Sequence, residues 1–321
     1  MILITGCAGF IGFHITNKLL NNKFKVIGID CIDSYYSKSL KKRRLKILKN
    51  NKNFNFIQID LKDFKKLKFK LKNYNIEKVI HLAAQPGVRV SISNPHNTLS
   101  QNLISFSNIL ELSRLKKVKK FIYASSSSIY GDTKIYPFNE KDYKNIPLSV
   151  YGATKLSNEV IARSYSHNFK INCIGLRFFT VYGPYGRPDM AYFSFLENLR
   201  KKKKIKVFNK GQMNRDFTYI DDVIEGIIKV IKLKTKNKHT VINIGKGKPD
   251  NLMSLINLIE MNYGKKFRIE FTDNIPNGDI KNTFANVKNA KNLINWKPET
   301  NLKDGIKKFV DWYKLNYVIK K

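Results

Sequence analysis

The chain opens on a short apolar run, Ile2–Thr5, and turns at once into Gly6-Cys7-Ala8-Gly9-Phe10-Ile11-Gly12. No other feature restricts the fold as much as this glycine spacing, GxxGxxG, between a strand pattern and a helix pattern. Gly6 permits a tight turn, Gly9 lets backbone approach an anion, and Gly12 lets the following helix pack close to the strand. That helix, expected over Ile11–Asn22, offers free N–H groups and the positive end of its dipole to whatever lies above the loop. A bare glycine triplet is weak evidence. At the first strand–helix turn of a βαβ unit it indicates a dinucleotide pyrophosphate site, and Phe10 and Ile11 are counted among its residues.

The pattern downstream agrees. Strands are expected at Ile2–Thr5, Lys25–Asp30, Phe54–Asp60, Lys78–Ala83, Phe121–Ser125 and Asn172–Arg177, with Thr240–Gly245 returning to the sheet. Amphipathic helices are expected at Leu99–Leu115 and Ala153–His167 between strands, and at Leu302–Tyr317, where Ile306, Phe309, Val310 and Tyr313 keep helical spacing. Strict alternation means a doubly wound parallel α/β sheet, a Rossmann fold, with a smaller, interleaved C-terminal α/β part. Residues 1–177 are read as the cofactor domain, with 216–247 returning to it, and 178–321 as the substrate domain.

Asp30 ends the second strand at the distance expected for an acid that binds the adenosine ribose diol. A carboxylate there repels a 2′-phosphate, which favours NAD over NADP; Arg43 and Arg44 lie too far along to answer it. Asp60 and Leu61 are expected near the adenine. Ala83, Ala84 and Gln85 end the fourth strand with side chains small enough to let a cofactor lie close.

Composition removes other classes. The cysteines, Cys7, Cys31 and Cys173, are odd in number and form no CxxC pair, which argues for a reducing, cytoplasmic setting and against a zinc site. The five histidines show no ligand spacing. No apolar stretch is long enough to span a bilayer, and no secretory signal opens the chain. The net charge of +36 comes partly from runs such as Lys41-Lys42-Arg43-Arg44, Lys62 to Lys72 and Lys201 to Lys204. It is spread along the chain without a nucleic-acid-binding signature, so it reads as a solvated surface that draws in an anionic substrate, with no specific nucleic acid as partner.

Tyr151-Gly152-Ala153-Thr154-Lys155 is a YxxxK motif opening a helix, and the spacing puts both side chains on one face. Tyrosine is a poor base near its ordinary pKa of about 10. A neighbouring ammonium and a nicotinamide cation both favour the phenolate, so Tyr151 is expected to exchange a proton with a sugar hydroxyl as hydride moves. The run Ser125 to Ser128 follows the fifth strand, at the sheet edge where ligands bind in open α/β folds.

Together these blocks resemble the nucleotide-sugar epimerases and dehydratases of the extended short-chain dehydrogenase/reductase family, and among them most resemble UDP-glucuronate 4-epimerases. The most specific are His81-Leu82-Ala83-Ala84-Gln85, Ser125 to Gly131, Leu176 to Pro184, Gly186 to Ala191 and Arg215 to Asp222. The resemblance implies Ser126 as catalytic hydroxyl, Tyr151 as base and Lys155 as its partner and a nicotinamide ribose ligand. It implies Arg215 on the diphosphate, Phe208 at the uracil, and substrate contacts from Arg89, Ser127, Ser128, Thr180, Arg187 and Asp279. It further implies tightly bound NAD, a UDP-sugar substrate and a homodimer formed through a four-helix bundle from Leu99–Leu115 and Ala153–His167. Two positions depart from the pattern. Pro86 replaces a small residue and is expected to shift the loop leading to Arg89; Cys7 replaces another within the glycine loop and should be tolerated.

Related dehydratases are similar in carrying an Asp-Glu pair, and decarboxylases a glutamate, where this chain has Ser127 and Ser128. Hydroxyls cannot supply that acid–base chemistry, so epimerisation at C4 is expected. Arg187 is the natural partner of a substrate carboxylate, which favours UDP-glucuronate over UDP-glucose or UDP-N-acetylglucosamine. Against this stands the plain reading of Arg187 as a surface ion pair with Asp189. A different class, a non-catalytic NAD-sensing or RNA-binding relative, is disfavoured by the intact Ser126, Tyr151 and Lys155.

Overall fold

Alternation within each strand decides the layers. Ile2, Ile4, Val26, Ile80, Ile122, Ile174 and Leu176 face one core; Leu3, Ile27, Ile29, Val79, Phe121, Tyr123 and Cys173 face the other. Successive strand residues point to opposite faces, so a strand apolar throughout must be covered twice. The structure, a computed structural model, describes residues 1–142, 146–235 and 238–318.

Its main strands are β1 (Ile2–Thr5), β2 (Val26–Asp30), β3 (Phe54–Gln58), β4 (Lys78–His81), β5 (Lys120–Ser126) and β6 (Asn172–Phe178). After β7 (Thr180–Tyr182), β8 (Ile205–Val207), β9 (Asn214–Arg215) and β10 (Phe217–Tyr219) comes β11 (His239–Ile244), then β12 (Asp250–Asn251) and β13 (Ile269–Phe271). The sheet has seven strands in the order β11-β6-β5-β4-β1-β2-β3, all parallel. The order reverses at β1, so a cleft opens above the ends of β1 and β4. The remaining strands form three two-stranded pairs, β10–β7, β12–β9 and β13–β8.

The helices are α1 (Phe10–Asn21), α2 (Lys38–Lys49), α3 (Phe64–Leu71), α4 (Val88–Ser93), α5 (Pro95–Leu99) and α6 (Ser105–Leu115). Then follow α7 (Val150–Phe169), α8 (Ala191–Arg200), α9 (Ile220–Lys232), α10 (Leu252–Tyr263), α11 (Lys288–Ile294) and α12 (Leu302–Tyr313). Apolar residues of α1, α2 and α9 cover one face of the sheet, and those of α3, α6 and α7 the other. Lys120 caps the end of α9 from below, its Nζ donating to the carbonyls of Val230 (3.1 Å), Ile231 (3.0 Å) and Leu233 (2.5 Å). No described helix is long and apolar enough to cross a membrane.

Several element ends differ from the sequence reading, most of them at the cleft. The chain leaves the ladder at Gln58 rather than Asp60, and at His81 rather than Ala83. This frees Asp60–Leu61 and Ala83–Gln85 to turn over the strand ends. β5 runs one residue further and pairs Ser126 with Phe178. The helix expected over Leu99–Leu115 is interrupted by a π-turn at Ser100–Ile104. Such turns often sit at functional sites, and this one turns Asn102 inward. The expected Leu302–Tyr317 helix ends at Tyr313 and continues as another π-turn.

Candidate active site

The glycine loop is a cradle that side chains would fill. Gly6 has φ +72°, and a Cβ on Gly12 would lie 2.0 Å from the Gly6 carbonyl oxygen. Gly9 N–H donates to that oxygen at 2.9 Å, closing the turn. The helix then starts at Phe10, whose ring is buried in the core and which offers the loop its backbone N–H, while Ile11 is half-buried. Cys7 is accommodated because its thiol packs where Gly28 has no side chain.

Asp30 is nearly buried. Its carboxylate accepts from Ala8 N–H (3.1 Å) and Ile32 N–H (2.9 Å), which ties the end of β2 to the glycine loop. Burial raises its pKa, and the two N–H groups and Lys41 oppose that. Asp60 and Leu61 lie just past β3, with Asn108 Nδ2 donating to the Leu61 carbonyl at 2.8 Å. Ala83 N–H donates to Thr5 Oγ1, and Gln85 N–H to Asn102 Oδ1 at 2.7 Å. The cradle, the buried acid and the small residues at the end of β4 fit a dinucleotide.

Tyr151 and Lys155 come from the first turns of α7. Ser149 caps that helix, accepting from Gly152 N–H at 3.1 Å. A Cβ on Gly152 would be 2.6 Å from the Ser128 carbonyl oxygen, so the helix start presses directly against the serine turn. Lys155 is buried, with Nζ donating to the Ala124 carbonyl at 3.0 Å and lying 5.7 Å from the Tyr151 ring centroid. Burial lowers its pKa to about 8. Lys155 is not among the protein groups that shift the Tyr151 phenol. Burial holds the phenol above its ordinary value, and the groups that lower it are the Arg187 guanidinium and the Ser126 hydroxyl. Ser126 Oγ also accepts from Ser128 N–H at 3.1 Å.

One turn beyond Lys155, Glu159 anchors a buried network. Arg177 grips it with Nε (2.9 Å) and Nη2 (2.7 Å), Ser125 Oγ donates to it at 2.5 Å, and Arg177 Nη1 reaches Tyr130. The serine turn, the catalytic helix and β6 are thereby locked into one unit.

Across the cleft lies a cavity of about 120 Å³ lined by Ser127, Ser128, Thr180, Arg215 and Asp279, among others. Arg89, beyond Pro86, touches one of the lining residues, Asp279. Its guanidinium sits 5.1 Å over the Phe208 ring and 3.1 Å from the Asp279 carboxylate. Arg215 Nη1 donates to the carbonyls of Asn214 (3.0 Å) and Lys281 (3.1 Å), and burial lowers its pKa. Arg187 forks onto Asp189, Nε at 3.1 Å and Nη2 at 2.5 Å. The ion pair of the plain reading therefore exists, yet the arginine is close enough to act on the Tyr151 phenol.

Three further residues organise the site. Asn102 holds Gln85 to Thr154 of α7, its Nδ2 donating to Gln85 O (3.1 Å) and Thr154 Oγ1 (3.0 Å). Asp216, fully buried, accepts from Lys246 N–H (2.5 Å), Gly247 N–H (2.8 Å), Ala285 N–H (3.1 Å) and Thr218 Oγ1 (2.9 Å), fixing the strand that carries Arg215. Arg44 corrects the reading of its basic run as solvated surface. It is fully buried, donating to Ala8 O at 2.8 Å and Gly186 O at 3.0 Å. The motif blocks that carry Asp216 and the basic run that carries Arg44 are visible in the sequence; Asn102 leaves no signal there.

The profile of the NAD dependent epimerase/dehydratase family matches residues 2–245. The chain is 45% identical over 328 residues to Protein CapI of Staphylococcus aureus, covering 97% of this chain and 98% of that one. It is 41% identical over 315 residues to the UDP-glucuronate 4-epimerase of Thermodesulfobacterium geofontis, covering 98% and 96%. The crystal structure of UDP-glucuronic acid 4-epimerase from Bacillus cereus, in complex with UDP-glucuronic acid and NAD, matches with a TM-score of 0.89 at 37% identity, covering 98% and 99%.

Proposed function

The chain belongs to the NAD dependent epimerase/dehydratase family, and from that premise we propose that it interconverts UDP-glucuronate and UDP-galacturonate by epimerisation at C4. The observation that carries this reading is the pair Ser127 and Ser128 in the cavity beside Tyr151. Neither position offers the acid and base that elimination across C5 and C6 requires. What these residues do offer, with Thr180 and Arg187, is a set of donors for a sugar carboxylate.

NAD, when bound, supplies the hydride acceptor and donor for C4. Tyr151 takes the proton from the C4 hydroxyl and returns it, with Ser126 hydrogen-bonded to the same oxygen. Lys155 holds the nicotinamide ribose and keeps a positive charge below the phenol. Arg215 and Arg89 engage the diphosphate, and Phe208 stacks on the uracil, with Asp279 steadying Arg89. The 4-keto sugar turns over within the cleft between the two half-reactions. A 4-keto glucuronate is a β-keto acid, so its carboxylate must stay in the ring plane to keep CO2. Ser127, Ser128, Thr180 and Arg187 are suited to that restraint.

We assign residues 1–177 and 216–247 to the cofactor domain and the rest to the substrate domain. A homodimer through a four-helix bundle from Leu99–Leu115 and Ala153–His167 is part of the reading. Leu99, Ile104 and Val160 leave apolar side chains exposed on that side, by 41%, 47% and 63%. The three free thiols suit a reducing cytoplasm.

The deciding experiment is incubation of the purified protein with UDP-glucuronate, UDP-glucose and UDP-N-acetylglucosamine, followed by separation of products. UDP-galacturonate should form without added cofactor, because NAD is regenerated in each cycle and copurifies. Faster turnover of either neutral sugar, or a requirement for stoichiometric NADP, would overturn the assignment.

A further inference from the structure

The loop leaving β2 does more than border the cofactor cleft. It crosses to the substrate side, where the Tyr35 hydroxyl donates to Asp189 Oδ2 at 2.9 Å. Gly87, with φ +103°, makes room for it; a Cβ there would lie 2.5 Å from the Tyr35 hydroxyl. Asp189 in turn occupies the Nε and Nη2 edge of Arg187. A carboxylate gripping that edge fixes the plane of the guanidinium and leaves the Nη1 amino group as the donor it does not engage.

The segment carrying Arg187 is tied down at successive residues, always to the cofactor half. His14 of α1 is hydrogen-bonded to the Pro184 carbonyl at 2.9 Å. Arg44 of α2 donates to the carbonyls of Tyr185 and Gly186, and to Ala8 of the glycine loop. Tyr35 holds Asp189. Arg187 and Asp189 keep 22% and 32% of their side chains exposed, and such a pair contributes little to stability. Its geometric effect on Arg187 is the larger consequence.

We propose that Tyr35 and Asp189 are positioning residues that aim the Arg187 guanidinium at the C6 carboxylate, so that preference for a uronic acid sugar is set partly by the β2–α2 loop. This rests on the reading of Arg187 as the carboxylate's partner. A misaimed Arg187 would let the carboxylate of the 4-keto intermediate leave the ring plane. The C5–C6 bond then breaks, CO2 departs, and the electron pair passes into the C4 enolate. The enolate takes a proton at C5 to give a 4-keto pentose.

The test uses holoenzyme carrying Tyr35→Phe or Asp189→Asn, with Arg187→Ala alongside. It measures kcat/KM on UDP-glucuronate, released CO2, bound NAD, and turnover or, failing that, Kd for UDP-glucose. Losing a hydrogen bond to a charged group should lower kcat/KM on UDP-glucuronate roughly tenfold for Tyr35→Phe. Asp189→Asn should lower it about 10–100-fold. Both variants should release CO2, retain NAD and change the UDP-glucose value by no more than about twofold, the range of a lost surface contact. A purely structural pair would instead shift both substrates together and release no CO2. If Arg187→Ala is selective for UDP-glucuronate but the other two variants are not, the positioning role falls and the carboxylate reading stands. If Arg187→Ala is unselective, both fall.

Discussion

On the proposed function, the two sides of the cleft recognise their ligands by different means. The cofactor side is built from backbone and absent side chains: Gly6, Gly9 and Gly12, the N–H groups that open α1, and Ala83–Ala84. It lies within a short stretch of chain plus the ends of three neighbouring parallel strands. The proposed substrate side draws on side chains from remote positions: Ser127, Ser128, Thr180, Arg215 and Asp279 around one cavity, Arg89 and Phe208 beside it, and Arg187 near the Tyr151 phenol. A backbone site depends on fold geometry and fails as a whole when that geometry is disturbed. A side-chain site is assembled piecemeal, and its parts fail one at a time.

Gly12→Ala tests the first half of that contrast and should have the largest effect. The added carbon falls 2.0 Å from the Gly6 oxygen, and backbone cannot yield as a flexible side chain can. Overpacking of this kind costs about 1–3 kcal/mol or more, and the loop must open to relieve it. The purified variant should carry no detectable NAD and show no turnover. Retention of NAD near wild-type stoichiometry, read by absorbance after denaturation, would break the contrast.

Tyr151→Phe comes next, and it separates chemistry from both binding sites. General acid–base groups contribute roughly 10²–10⁴-fold, so kcat should fall by that factor while NAD and UDP-sugar still bind. A kcat within a few-fold of wild type would remove the phenol from the mechanism. Arg187→Ala then probes one side chain of the substrate half. Stranding a carboxylate in a partly closed site should cost on the order of 2–5 kcal/mol on UDP-glucuronate. UDP-glucose should lose only the part common to both substrates, the withdrawal of the cation that lowers the Tyr151 phenol, because no substrate charge is left unpaired. Equal losses would mean that Arg187 serves the Tyr151 phenol, the diphosphate or the fold.

The same contrast explains what could be read from the sequence. The GxxGxxG loop, Asp30 and the strict strand–helix alternation state the cofactor half almost completely, because local rules and chirality leave one way to wind a parallel sheet. Helices α2 and α3 were less legible, since lysines outnumber their buried leucines. The identities of Arg89, Phe208 and Asp279 came only through family resemblance, for nothing local says that positions so far apart meet at one ring. Asn102 shows the limit of periodicity. It sits in an apparently regular helix, and only the π-turn rotates it toward Gln85 and Thr154. The surroundings of the Tyr151 phenol are hidden from the sequence for a related reason. Spacing puts Lys155 on its face, but burial and Arg187 are tertiary facts.

Acid should distinguish the halves more gently. Burial lowers the pKa of His14 to about 4, His81 to about 3 and His239 to about 4. All three belong to the sheet and the helices on it. Their unfolded forms bind protons from pH 6.5 downward, so the unfolded state gains protons first. Their contribution is complete above about pH 6.5 and declines as pH falls toward the folded values. For fully buried His81 this amounts to about 2 kcal/mol at pH 5. Thermal melts between pH 7 and 5 should show falling stability, and His81→Leu should flatten that slope if the variant folds. A slope unchanged by the substitution would exclude His81 as a source.

The smallest effect is expected at the Arg89–Asp279 pair, where the piecemeal character of the substrate side is most exposed. Arg89 keeps 59% of its side chain open to solvent, and Asp279 keeps 26%. Ion pairs in such surroundings are worth about 0–1 kcal/mol, and the stacking of Arg89 over Phe208 adds about 0.5–1 kcal/mol at an exposed position. Neither interaction holds the fold, because Asp216 and the Glu159–Arg177 network do so from fully buried positions. Arg89→Ala and Asp279→Ala should therefore leave the melting temperature almost unchanged. Each should raise KM for the UDP-sugar only a few-fold, with kcat preserved, since the proposed function puts them at the diphosphate end, away from the reacting atoms. A double-mutant cycle in KM should return a coupling below about 1 kcal/mol. Coupling well above that value, or a loss of kcat, would show that the pair acts as one unit with the catalytic side. The substrate half would then fail as a whole, just as the cofactor half does.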